Sequence, residues 1–205
     1  DRGLLKEWPA EGPKQLWKAE GIGKGFSSVS VAGGKVYITG DKEAKLDKIL
    51  PGLIGGRYAL GLSSFFDTKE REKQVDMVNY YTAGIQWASA AGKTVDPNDA
   101  CGLTLAVQNG TTEALDDAPA KSKACTDAGK PEISILGYDT QDEATAAVTL
   151  GRADALSADS PVTQYAVAQS NGKLQIAGDV YDIFLYGMPV PKGSELGAAL
   201  QAALK

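Results

Sequence analysis

An α/β fold built on open sheets is what the sequence predicts, and three observations predict it. Short apolar runs of strand length alternate with amphipathic runs of helix length from about residue 45 onward. The helical runs carry explicit start and stop signals. Small polar residues gather where apolar runs give way to helical ones, the place where open α/β sheets present ligand sites at the carboxyl ends of their strands.

Residues 1–41 read as β structure. LWKAEG suggests one strand, and SSVSVAGGKVYITG alternates Val29, Val31, Val36 and Ile38 around Gly33-Gly34, the pattern of a hairpin with a two-residue turn. GIGKG at Gly21–Gly25 lacks both P-loop and dinucleotide spacing and reads as a loop. The charged stretch from Asp41 leads into a short amphipathic helix ending near Leu53, with Gly55-Gly56 as its stop. Tyr58–Leu62 is then expected as a strand. It is closed by Ser63 and Ser64 and followed by a polar run carrying Thr68, Glu70 and Arg71 that opens a helix.

VDMVNYYTAGIQWASA has the length and aromatic content of a strand running from one lobe to another, and KTVDPNDACG is a turn-rich break. LTLAVQ is a buried-type strand entering NGTTEAL, a second strand-to-helix bend at Gly110, Thr111 and Thr112. Asn109-Gly110-Thr111 also matches a glycosylation sequon, but its turn chemistry accounts for it. The best-signalled helix follows: Thr140 and Glu143 form a capping box, Ala144, Ala147 and Val148 make one apolar face, and Gly151 stops it. ADAL reads as a short strand with Asp159 at its bend. Ser160 is the expected N-cap of the next helix, Pro161 its first residue and Asn171-Gly172 its end. LQIAGDVY and DIFLYGMPV are expected to supply two further strands, and SELGAALQAALK to begin a last helix cut short by the chain end. Strands alternating with helices in this way predict parallel sheets.

Composition narrows the function. The chain has 205 residues, 43% of them hydrophobic, and a net charge of −5 from 21 basic and 26 acidic residues. No basic run interleaves with aromatics, which argues against nucleic acid as partner. No apolar run reaches the roughly 18 residues of a bilayer span, and DRGLLKEW is not a signal peptide. Histidine is absent, which removes Ser-His-Asp and Cys-His nucleophiles and histidine-based zinc motifs, so no catalytic group, metal or cofactor is expected. Cys101 and Cys125 are too few for a zinc cluster. An even count in an exported protein suggests a disulfide; two buried free thiols are the alternative.

Taken alone, the Gly61–Arg71 stretch is a generic anion site. A helix start offers unpaired N–H groups and Arg71 a guanidinium fork that matches a carboxylate. The competing interpretation is a solvated helix start with Arg71 paired to a neighbouring acid.

The motifs SSFFDTKEREKQVD, AVQNGTTEA, YDTQDEATAAVTLGRADAL, ADSPV and YGMPVPKGSEL, spread over about residues 45–205, resemble extracellular solute-binding protein family 3. These are amino-acid-binding proteins of ABC importers with the two-lobed type II periplasmic-binding fold. The resemblance implies a non-enzymatic clamp for a free amino acid. Arg71 would hold the α-carboxylate with N–H help from Ser64 and Thr112, and Asp159 would take the α-ammonium with the Ser63 carbonyl. Gln108 joins this set. Phe66 and Glu113 depart from the family pattern, which often has a small hydroxyl residue and a glutamine there, and are expected to touch side-chain selectivity. The resemblance further implies an ABC permease as partner, an extracytoplasmic location and a monomer.

Residues 1–41 instead resemble a β-propeller repeat of the pyrroloquinoline-quinone type, through Leu16-Trp17-Lys18 and the Ser27–Tyr37 hairpin, with no second copy. They stand where the family has the opening strand, helix and strand of lobe 1, so the chain reads as a mosaic. The expected organisation is a β-hairpin segment over 1–41, an incomplete first lobe from 42–84 and 184–205, and an intact second lobe over 85–183. Two other functions compete: an interaction module with a vestigial site, and a quinone-dependent propeller enzyme favoured only by residues 1–41.

Overall fold

Two long strands, Val75–Ala90 and Leu174–Pro191, run antiparallel along nearly their whole lengths, from the Val75–Pro191 pair to the Ala90–Leu174 pair. They form the spine of a computed structural model that describes residues 30–32, 35–37 and 45–204. The chain divides into two compact units, Asp1–Glu43 and Ala44–Lys205.

In the first unit, β1 (Ser30–Ala32) and β2 (Lys35–Tyr37) pair antiparallel with Ala32 opposite Lys35, and the predicted Gly33-Gly34 turn lies outside the described residues. The expected LWKAEG strand and the GIGKG loop lie outside the described residues.

The second unit contains α1 (Leu46–Ile54), β3 (Phe65–Phe66), α2 (Lys69–Glu72), β4 (Val75–Ala90), β5 (Thr104–Gln108), α3 (Ala118–Asp127), β6 (Ser134–Tyr138), α4 (Gln141–Thr149), β7 (Ala155–Asp159), α5 (Ser160–Gln169), β8 (Leu174–Pro191) and α6 (Glu195–Ala203). A single π-helical turn, Glu113–Asp117, leads into α3. The strands form one sheet in the order β3-β8-β4-β7-β5-β6. Only β5–β6 and β5–β7 are parallel; β3–β8, β4–β8 and β4–β7 are antiparallel, so the sheet is mixed rather than parallel. The physical reason is the β4–β8 ribbon, whose two members cross the unit in opposite directions.

Side chains alternate between the two faces of this sheet. Leu105 and Val107 of β5 join Ile85, Trp87, Ala118 and Cys125 on one face, while Ala106 joins Ala88, Ala144, Ala147, Val148 and Leu156 on the other. The second face is built largely from alanine, which lets α4 sit close to the strands. A sheet covered on both faces explains why β5 and β7 are nearly continuous apolar runs.

The capping box of α4 forms as predicted. The Thr140 hydroxyl accepts from the Glu143 N–H at 3.2 Å, and the Thr140 N–H donates to Glu143 at 3.0 Å. Cys101 and Cys125 are bonded to each other, 24 residues apart, and tie α3 to the loop that enters β5.

Other expectations are corrected. Tyr58–Leu62 is not a strand: Gly61 alone reaches β8, through its N–H to the Pro189 carbonyl at 2.8 Å, and pairing begins at Phe65. An apolar run becomes a strand only where a neighbour supplies a ladder. The expected strands LQIAGDVY and DIFLYGMPV are one strand, β8, bent at Asp182, whose φ of 45° is left-handed. The N-cap of α5 is Asp159 rather than Ser160, which is already helical; the Ser160 hydroxyl instead accepts from the Gly84 N–H at 3.4 Å. α3 and β6 add to the expected elements; the apolar alternation of ISILGY is the local signal for β6.

Candidate ligand-binding site

The site begins with a helix of one turn. Thr68 caps α2 by accepting from the Arg71 N–H at 3.3 Å, which fixes where Arg71 leaves the backbone. The Arg71 side chain turns inward and is only 8% exposed. Nη1 donates to the Phe66 carbonyl at 2.8 Å, and Nη2 donates to the Gly110 carbonyl at 3.0 Å. Its guanidinium carbon lies 5.2 Å from the centre of the Phe65 ring. Arg71 is therefore held by neutral carbonyls rather than by a neighbouring acid, which disposes of the solvated-pair interpretation. Two of the five guanidinium N–H groups are used in these bonds.

The opposite wall comes from β5 and β7. After Gln108 the chain bends at Gly110, whose φ of +83° is left-handed and whose α-carbon faces the backbone of Asp47 so closely that a β-carbon would sit 2.9 Å away. The Thr111 hydroxyl, just before the π-helical turn, accepts from the Ala114 N–H at 3.2 Å. Thr112 and Glu113 follow, both buried. From β7, Asp159 accepts the Tyr186 hydroxyl at 2.7 Å.

These pieces enclose a cavity of about 170 Å³. Every ligand-contact residue expected from the sequence lines it: Ser63, Ser64, Phe66, Arg71, Gln108, Thr112, Glu113 and Asp159. Phe66 contributes least. Its ring is 2% exposed and packs on Phe184 and Tyr186, with centroids 4.8 and 5.3 Å away, so it belongs mainly to the core. Ser64 has a φ of 51°, an uncommon conformation for a residue with a side chain, at the point where the chain enters β3. Thr111, at the predicted bend, also lines the cavity, as does Gln141, which the sequence motifs do not single out. Gln141 could have been found: it follows the Thr140 cap immediately, at the carboxyl end of a strand. Tyr186 could not, because its partner lies 27 residues away.

The electrostatics are unusual for so small a volume. Burial pulls the Arg71 guanidinium below its ordinary value, and the charges of Glu113 and Asp159 act against that. Burial pushes Glu113 well above the usual carboxylate range, and the charge of Asp159 pushes it further. Burial also raises Asp159, opposed by the Tyr186 hydroxyl, by Glu113 and by Arg71. Tyr186 is raised in turn by burial and by Asp159. A larger, shallower depression of about 430 Å³ between α3 and β6 holds only exposed charges, Lys123 and Glu132.

No protein-family model matches the chain. Over 166 residues it is 41% identical to the arginine-binding protein ArgT of Corynebacterium glutamicum, covering 80% of this chain and 55% of ArgT. Over 169 residues it is 29% identical to the ABC transporter glutamine-binding protein GlnH of Bacillus subtilis, covering 80% and 58%. The chain thus spans little more than half the length of these curated relatives. Among solved structures, an ancestral arginine-binding protein bound to arginine is 30% identical, matches over 80% of this chain and 71% of its own, and superposes with a TM-score of 0.70. The chain belongs to extracellular solute-binding protein family 3. Its second unit has the type II periplasmic-binding architecture of that family, and the long β4–β8 ribbon and the polar strand-to-helix bends are features of that fold in this chain. Among the described residues no helix is long and apolar enough to cross a membrane.

Proposed function

We propose that the chain binds a free amino acid in this cleft and delivers it to an ABC-type permease, as a binding protein rather than an enzyme. The observation that carries this reading is one buried cation, Arg71, sharing a cavity with the buried carboxyl of Glu113 and the half-buried carboxyl of Asp159. A zwitterion needs a fixed cation with N–H donors and a fixed anion a few ångströms apart, drained of water. Arg71 takes the α-carboxylate with N–H groups of Ser64 and Thr112, and Asp159 takes the α-ammonium with the Ser63 carbonyl. Charge-assisted hydrogen bonds of roughly 1.5 to 3 kcal/mol each supply the roughly 8 kcal/mol of micromolar binding after ordering costs.

Residues 42–84 with 184–205 form one wall and residues 85–183 the other, and the two close on the ligand as lobes. The protein works outside the cytoplasm as a monomer. Arginine is the leading ligand, since the curated relative at 41% identity and the ancestral protein at 30% are named for arginine, and glutamine is second, after GlnH.

Thermal unfolding of the full chain with each of the twenty amino acids tests this. A ligand at a hundredfold its dissociation constant adds about 2.7 kcal/mol to the unfolding free energy. A shift with L-arginine is expected; no shift with any amino acid overturns the proposal in favour of a vestigial site.

A further inference from the structure

We propose that Glu113 and Asp159 hold a single proton between them in the free protein, so that the cleft selects its ligand by net charge. A cationic amino acid enters with release of that proton, and a neutral one enters with the proton retained. The inference rests on the amino-acid reading above and goes beyond it to the charge class of the ligand.

The geometry comes first. Glu113 is 1% exposed, and neither of its carboxyl oxygens receives a hydrogen bond from the protein. An ionised carboxylate in that position would be desolvated with no donor in compensation. Asp159 differs: the Tyr186 hydroxyl donates to its Oδ2 at 2.7 Å, and the Arg71 charge favours its ionised form. The proton therefore resides on Glu113, which lines the same cavity as Asp159. The raised titration of both groups agrees with this arrangement.

Other groups near the pair do not replace it. Asp67 accepts from Asn79 at 2.8 Å, Tyr181 donates to Asp117 at 2.8 Å, and Asp116 is exposed. Arg71 stays charged, because a guanidinium is not deprotonated in proteins.

The charge balance then decides selection. Arg71 contributes one positive charge, and the carboxyl pair with its single proton contributes one negative charge, so the free cleft is neutral. A neutral zwitterion preserves that balance. An amino acid with a cationic side chain adds one positive charge, and neutrality returns only when the Glu113 proton passes to solvent. The two carboxylates then face two ligand cations, the α-ammonium and the side chain.

Isothermal calorimetry of the full chain with L-arginine and with L-glutamine, in buffers of different ionisation enthalpy, reads this directly. Up to about one proton is released per arginine and about none per glutamine. The arginine-to-glutamine affinity ratio rises by up to about tenfold per pH unit until the pair has lost its proton. If arginine alone binds, its proton release decides the matter. Glu113→Gln abolishes the release and flattens the pH dependence. Infrared spectra of the ligand-free protein give an independent readout: a protonated-carboxyl band that disappears in Glu113→Gln. Absence of that band, or arginine binding without proton release, overturns this inference and leaves the amino-acid reading standing. A band with no binding of any amino acid overturns the amino-acid reading and the selection rule with it.

Discussion

The guanidinium of Arg71 donates to the carbonyl of Gly110 at 3.0 Å, a bond between residues 39 positions apart. It joins α2, which follows β3, to the bend that leaves β5, so the cation of the site is also the tie between its two walls. The bond uses one edge of the guanidinium and the Phe66 carbonyl uses another nitrogen, which orients the remaining donors.

Replacing Arg71 therefore acts twice. Arg71→Ala removes the cation facing the ligand carboxylate, with an expected affinity loss of about 3 to 5 kcal/mol. It also leaves the Phe66 and Gly110 carbonyls without donors, lowering stability by about 1 to 3 kcal/mol. Arg71→Lys keeps the charge but cannot serve two carbonyls and a carboxylate together, so affinity falls there as well. Calorimetry below the melting temperature of each variant separates binding from unfolding; unchanged affinity in either variant refutes the assignment.

Gly110 is expected to tolerate no side chain. Its φ is +83°, and a β-carbon would lie 2.9 Å from Asp47 backbone atoms at the start of α1. Gly110→Ala should cost about 1 to 3 kcal/mol in urea unfolding and push α1 away from the bend. A variant as stable as the parent would show that α1 moves freely.

Glu113 should make the protein less stable as pH rises. Its carboxyl titrates above the ordinary value in the folded state because of burial and of the Asp159 charge. Above the unfolded value of about 4.3, the unfolded chain has released a proton that the folded chain still holds, so stability falls with a slope of at most about 1.4 kcal/mol per pH unit until the raised value is passed. Glu113→Gln cannot titrate. Its stability relative to the parent should be lowest in acid and grow as pH rises; a difference independent of pH across a urea-denaturation series refutes this.

The Cys101–Cys125 bond closes a loop of 24 residues in sequence separation. In the loop-entropy argument its removal costs about 3 kcal/mol. Urea unfolding of the Cys101→Ala, Cys125→Ala pair should show that loss, with α3 losing hydrogen-exchange protection first.

Amides of Tyr58–Leu62 should exchange much faster than those of Leu105–Val107. The first stretch has one hydrogen bond to β8, from Gly61, whereas β5 lies between two parallel neighbours and its central residues are at most 1% exposed. Equal protection would place Tyr58–Leu62 in a ladder that the fold does not contain.

The sequence alone determined the features that neighbours in the chain decide. The Thr140–Glu143 cap, the bend at Gly110 and the end of α1 at Gly55 depend on contacts a few residues apart, and all were legible. So was the membership of Ser63, Ser64, Arg71, Gln108, Thr112, Glu113 and Asp159 in one cavity, because strand-to-helix bends of an open sheet converge on one side. Tertiary structure decided what rests on distant partners. The apolar run Tyr58–Leu62 failed to become a strand for want of a paired neighbour, and the β4–β8 ribbon made the sheet mixed. Tyr186 came to donate to Asp159 because β8, β4 and β7 lie side by side. Glu113 was buried without a donor because the fold closed around it, and burial, which no local pattern encodes, separates an ordinary surface glutamate from a proton-holding one.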